Sequence, residues 1–187
     1  MKSVLLASVL MAVTTVATAT EYKIDPYHTN VKFETDHFGT STNTGGFYGL
    51  EGVVQFDLAK KEGSVDINIP MSSLLSTSTR YTTHLLSADF FNQEKFPAAR
   101  FTSTKFNFDG DKVSSVEGNL TLLGQTHPVE LKAERFNCYD SPMLKTQVCG
   151  GDFVATINRT KWGLTYATHS EKSKQVALKI QVEAAKQ

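Results

Sequence analysis

Five histidines, His28, His37, His84, His127 and His169, and two cysteines, Cys138 and Cys149, are the side chains of this 187-residue chain suited to holding a metal or moving a proton near neutral pH. Their spacing argues against both uses. No H-x-x-x-H or H-E-x-x-H pair occurs, so the histidines read as structural groups at strand ends and turns and no metal site is expected. Ser87 and Asp89 stand close to His84, but three such residues on one short helix do not make a catalytic relay, and no G-x-S-x-G elbow is present. Asp89 reads instead as an acceptor for backbone N–H groups or for Arg80; a hydrolase using Asp89 and His84 is the minor alternative. Gly150-Gly151 reads as a turn and not as a phosphate cradle, because no helix follows it. Asn119-Leu120-Thr121 and Asn158-Arg159-Thr160 match the glycosylation pattern but lie in or beside strand patterns, and are taken as chance. No catalytic residue and no catalytic cofactor is expected: the protein reads as a non-enzyme.

The two ends of the chain bound where such a protein works. Residues 1–19, MKSVLLASVLMAVTTVATA, have a positive start at Lys2, an apolar run from Val4 to Val13 and a small-residue close at Ala17-Thr18-Ala19. That is the pattern of a cleaved secretory signal peptide, with the mature chain starting at Thr20. The apolar run is well short of the ~20 residues that span a bilayer. Removal of the leader leaves residues 20–187 as one domain large enough for a substantial core. The formal charge of 0 becomes −1 when Lys2 is lost, and the Lys and Arg residues are scattered. There is no footprint for nucleic acid and no polybasic arm for anionic lipid. In an oxidising compartment Cys138 and Cys149 are expected to form one disulfide closing the loop CYDSPMLKTQVC.

The elements that must position everything else are strands. Period-two alternation of apolar and polar residues recurs at Val31–His37, Leu50–Phe56, Val65–Ile69, Ala99–Phe108, Val116–Leu122, Val129–Ala133, Phe153–Ile157 and Val176–Val182. Helical spacing occurs once, between Ser78 and Phe91, where Tyr81, Leu85, Ala88 and Phe91 share a face. Pro97 then forces Phe96 out of helical dihedrals and returns the chain to a strand. Eight sequential antiparallel strands can form a sandwich or a closed barrel. Closure removes exposed edges, and a barrel of eight strands is just wide enough to be filled by side chains or to hold one small ligand. Phe33, Phe56, Phe101 and Phe153 could fill it. Small residues at Gly52, Ala99, Gly118, Ala133 and Ala155, and a helix placed to close one end, favour a cavity.

Several separated segments resemble the YceI family of exported bacterial proteins: HLLSADFFNQEKFPAARFTST, preceded by YKIDPYHTNVKFETDHFG and GFYGLEGVVQFD, and followed by GNLTLLGQTHPVEL and GGDFVATINRTKWGL. The resemblance spans residues 21–184. It implies an all-β fold, a lipocalin-like eight-stranded antiparallel barrel with one short helix beside it, and an apolar pore that holds a polyisoprenoid chain. From the alternation, the residues expected to line that pore are Phe33, Phe56, Ile67, Ile69, Leu85, Phe90, Phe101, Leu120, Leu122, Phe153, Ile157, Trp162, Leu178 and Ile180. A one-residue slip of register would exchange the faces. The expected ligand is an isoprenoid lipid such as a quinone of the ubiquinone type, transported or stored in the periplasm, with secretion or surface association as alternatives. Transient membrane contact and a homodimer are compatible with that role. A different class of function, a filled barrel acting through its loops in stress response or adhesion, is the competing expectation.

Overall fold

The computed structural model describes residues 20–187; the expected signal peptide lies outside them. The strands are β1 (Thr20–Ile24), β2 (Asn30–His37), β3 (Ser41–Phe47), β4 (Glu51–Asp57), β5 (Glu62–Pro70), β6 (Leu74–Ser76), β7 (Ala98–Asp109), β8 (Lys112–Leu122), β9 (Gln125–Ser141), β10 (Thr146–Asn158) and β11 (Gln175–Lys186). The order β1-β4-β5-β7-β8-β9-β10-β11 closes on itself through the β1–β11 pairing. The fold is therefore a closed, eight-stranded antiparallel barrel. The three remaining segments prolong staves of that barrel. β1 and β2 both lie along β11, meeting it at Ile24↔Ala184 and Asn30↔Gln181, while β3 continues β4 beside β2 and β6 continues β5 beside β3.

β3 was not among the strands expected from alternation, because STNTGGF carries almost no apolar residue. Its strand form is imposed from outside: Gly45 lies opposite Phe33, and a Cβ there would come within 2.4 Å of the Phe33 ring. Gly118, opposite Ser103, likewise makes room for the ring of Phe101 two residues away on β7, which a Cβ would meet at 2.4 Å. These glycines make room for phenylalanine rings rather than widening the lumen.

Among the described residues the single α-helix of more than one turn, α1 (Thr79–Leu86), is shorter than the expected Ser78–Phe91. Ser78 caps its start by accepting from the Tyr81 N–H, and at its end the Ser87 hydroxyl turns back to the His84 carbonyl. The chain then folds under the helix, with the N–H groups of Phe91 and Gln93 donating to the carbonyls of Leu85 and Leu86. This bend turns Phe90 and Phe91 toward the barrel. A short 3₁₀ turn, Arg159–Trp162, and a one-turn helix, α2 (Glu171–Lys174), follow β10. Asn158, the first residue of one glycosylation-like triplet, caps that 3₁₀ turn by accepting from the Thr160 N–H and hydroxyl.

Two expectations for β9 and β10 are corrected. The segment between the cysteines is no loop: both strands run through it, and Cys138 and Cys149 are directly paired across the ladder with their Cα atoms 4.0 Å apart. Gly150-Gly151 is not a turn either, but sits inside β10 between Phe136 and Asn137 of β9 and Val182 and Glu183 of β11. The neighbouring backbones come so close that a Cβ would lie 2.1 Å from the Val182 carbonyl oxygen at Gly150 and 2.2 Å from that of Arg135 at Gly151. The disulfide closes the tip of a hairpin, so replacing both cysteines with alanine is expected to cost about 2–3 kcal/mol on the loop-entropy account. Thermal unfolding should show a drop of roughly 5–10 °C, matched by adding reductant to the unsubstituted protein.

Candidate functional site

The barrel is hollow. A cavity of about 210 Å³ lies inside it. At about 30 Å³ per water in the liquid, the space would hold on the order of seven waters, well beyond a packing defect. Its shape follows from β11, which presents Val176, Leu178, Ile180, Val182 and Ala184 to the cavity on alternate positions. Eight residue steps at about 3.4 Å each make a path of roughly 27 Å. With the strands of a closed barrel tilted by about 35–45°, that path spans roughly 20 Å along the axis, and so modest a volume over it is a narrow tube about one chain wide.

The wall is contributed by every stave. Phe33, Phe56, Ile67, Ile69 and Phe101 line it from β2, β4, β5 and β7, and Leu120, Leu122, Phe153, Ile157, Leu178 and Ile180 line it from β8, β10 and β11. Leu85 of α1 and Phe90 of the bend close one end, together with Phe91, which packs edge-on against Phe47 at 5.4 Å between ring centroids. Trp162 is the one sequence-derived wall residue that does not face the cavity. It is 1% exposed, and its indole N–H donates to the Leu120 carbonyl at 2.9 Å. The 3₁₀ turn that carries it leaves the barrel's alternation, so the tryptophan wedges against the end of β8 instead of continuing the inward face of β10.

The polarity of the lining is as uneven as its shape is regular. Among the described residues, Thr35, Tyr81 and Arg159 are the only hydroxyl-bearing or charged ones on it. Tyr81 and Arg159 lie together at the α1 end, where burial pushes the tyrosine hydroxyl up and the arginine guanidinium down from their ordinary pKa values. At the far end Val113, Phe136 and Ala184 complete an apolar floor near the disulfide.

Residues 22–184 match the family model for the YceI-like domain. The chain belongs to the YceI family. Its relatives include a UPF0312 protein of Pseudomonas putida, 34% identical over 174 residues that cover 91% of this chain and 89% of the relative. Among solved structures, a mutant CJ YceI protein crystallised with a monobromobimane guest superimposes with a TM-score of 0.69 at 27% identity, over 81% of this chain and 90% of that one. A polyisoprenoid binding domain from Saccharophagus degradans shares the fold, with a TM-score of 0.62 at 14% identity, over 91% of this chain and all of that one.

Elsewhere on this YceI barrel, the polar side chains singled out in the sequence form pairs rather than a relay. His84 Nε2 lies 3.1 Å from Asp89 Oδ2, so the partner of Asp89 is this histidine and not Arg80. The Ser87 hydroxyl is committed to the His84 backbone, not to its ring. Residues distant in sequence bring Asp25, His28 and Glu183 within 4.8 Å of one another, a cluster that spacing could not reveal. Its core is an ion pair, His28 Nδ1 to Asp25 Oδ2 at 2.7 Å. That hydrogen bond and the aspartate's charge raise the histidine's pKa. Burial pushes Asp25 up, but the His28 and Tyr27 hydrogen bonds outweigh it and hold the carboxyl low. The histidine's contribution to stability is complete below its unfolded pKa near 6.5 and lost as pH rises through the folded value. The aspartate's is present above about 3.8 and lost as pH falls through its lowered folded value. The pair is therefore strongest between about pH 4 and 6.5. An NMR titration of His28 is expected to give a midpoint above 6.5 that returns to the ordinary histidine range in Asp25→Asn.

Proposed function

We propose that this protein sheathes the hydrocarbon tail of an isoprenoid lipid, a quinone of the ubiquinone type, in the lumen of its barrel, and carries or stores it in the periplasm after export through residues 1–19. One observation carries the reading: a narrow lumen of about 210 Å³ inside the barrel, roughly 20 Å along its axis, lined almost wholly by aliphatic and phenylalanine side chains. Each methylene moved from water into such a wall contributes roughly 0.8 kcal/mol, so a tail of several isoprene units gains many kcal/mol without any reacting group. The name of the Saccharophagus degradans domain agrees with this choice of ligand, and at 14% identity the likeness itself carries the fold. Loading and release involve transient contact with a membrane, and a homodimer is compatible with both. The role is binding, with no catalytic step and no cofactor beyond the cargo.

Native mass spectrometry of protein purified from its own compartment without detergent tests the proposal. A discrete added mass, released on denaturation as a prenylated quinone, together with a polypeptide mass starting at Thr20, is the expected result. A bare mass with no uptake of added ubiquinone would turn attention to the loops of the barrel instead.

A further inference from the structure

Among the described residues, Arg159 is the only charged one on the lumen wall, and it is 7% exposed. Among the described residues it has no carboxylate partner; backbone oxygens hold it instead. Its Nε donates to the Ser173 carbonyl at 2.9 Å, and its Nη2 to those of Tyr166 at 2.9 Å and Ala167 at 3.4 Å. The face of Phe90 lies 5.9 Å from the guanidinium carbon. A guanidinium carries five N–H donors, and the two on Nη1 have no acceptor among the described residues. The hydroxyl of Tyr81, on the same end of the lumen, also has no hydrogen-bond partner there. Burying a cation beside apolar side chains without a counter-charge is costly, and an aliphatic tail gives these donors nothing in return.

We propose that Arg159 and Tyr81 form the head-group site of the lumen, taking a lipid oxygen that only accepts hydrogen bonds, such as a quinone carbonyl or a carboxylate. The tail then runs from this end toward Val113 and Ala184, where the wall offers no polar donor side chain. This site rests on the lipid-sheath reading above and deepens it, by giving the cargo a direction and its head a chemistry. Hydrogen bonds to a charged donor in a water-poor site are stronger than neutral ones, so the head confers selectivity on a tube that otherwise grips any chain of the right width.

The test uses delipidated mature protein and three ligands with the same prenyl tail: a ubiquinone, a carboxylate, and the hydrocarbon with no head. The unsubstituted protein is expected to bind at least one of the oxygen-bearing ligands about ten- to a hundredfold more tightly than the hydrocarbon. The tighter of the two says whether the site serves neutral carbonyls or anions. Arg159→Gln should bring that preference to within about threefold, and Tyr81→Phe should lower it by roughly three- to tenfold. Because Arg159 also ties down the segment after β10, Tyr81→Phe and Arg159→Lys carry the test if the glutamine variant does not fold. A head preference that survives in all folded variants, or hydrocarbon binding as tight as that of both oxygen-bearing ligands in the unsubstituted protein, overturns the site and leaves the lipid sheath standing. Failure of all three ligands to bind the unsubstituted protein overturns both.

Discussion

Leu120→Trp is expected to yield a folded barrel that has lost more than about a hundredfold in affinity for an isoprenoid tail. Leu120 sits on β8 opposite Phe101, with its side chain on the wall of the lumen. The hydrogen bond at this position is made by the backbone carbonyl, which accepts from Trp162, so the substitution leaves it in place. A lumen of about 210 Å³ drawn out along its strands cannot take an indole and a chain at the same cross-section. Displacing about four methylenes would forfeit roughly 3 kcal/mol, or more than a hundredfold in Kd. Tail binding measured by fluorescence or calorimetry, beside circular dichroism to check the fold, decides the matter. Undiminished lipid occupancy in a folded variant would mean that Leu120 faces the other way.

Trp162→Ala should have the opposite profile, with a large loss of stability and a smaller effect on binding by the molecules that remain folded. The indole is 1% exposed, sits edge-on to the His127 ring at 5.1 Å and donates its N–H to Leu120 at 2.9 Å. It pins the turn after β10 to the β8–β9 side of the barrel, yet does not touch the lumen. Removing a buried tryptophan costs about 3–5 kcal/mol, which for a domain of this size lowers the unfolding midpoint by about 10 °C or more. Trp162→Phe, which keeps most of the packing but not the donor, should fall between. A variant as stable as the parent, but empty of lipid, would reverse the roles assigned to these two residues.

These two residues stand in the same expected list, and they mark how far alternation carries. Inside a regular strand, period two places side chains on one face or the other whatever the partner strand is. Leu120, Phe153, Leu178 and Ile180 could be placed on the lumen wall in that way, and they line it. Trp162 follows β10 in sequence, but the chain has left the ladder by then and its direction is set by the Asn158 cap and Gly163 in the left-handed region. The helix was legible from Leu85 and Phe91, but its end was not. Ser87 stops it by bonding backward, and helical spacing further on belongs to a bend that happens to keep the same side chains inward.

Local pattern was enough for the strand content, the eight alternating runs and the apolar wall, because each depends on neighbours along the chain. Closure of the barrel, the strand made of STNTGGF, the hairpin joined by the disulfide and the glycines inside β10 depend on which backbones lie side by side. The same holds for whether the lumen is filled and for the unneutralised Arg159 at its end. A cavity is the difference between the volume that eight staves enclose and the volume their side chains occupy, and only the tertiary structure sets the first of these.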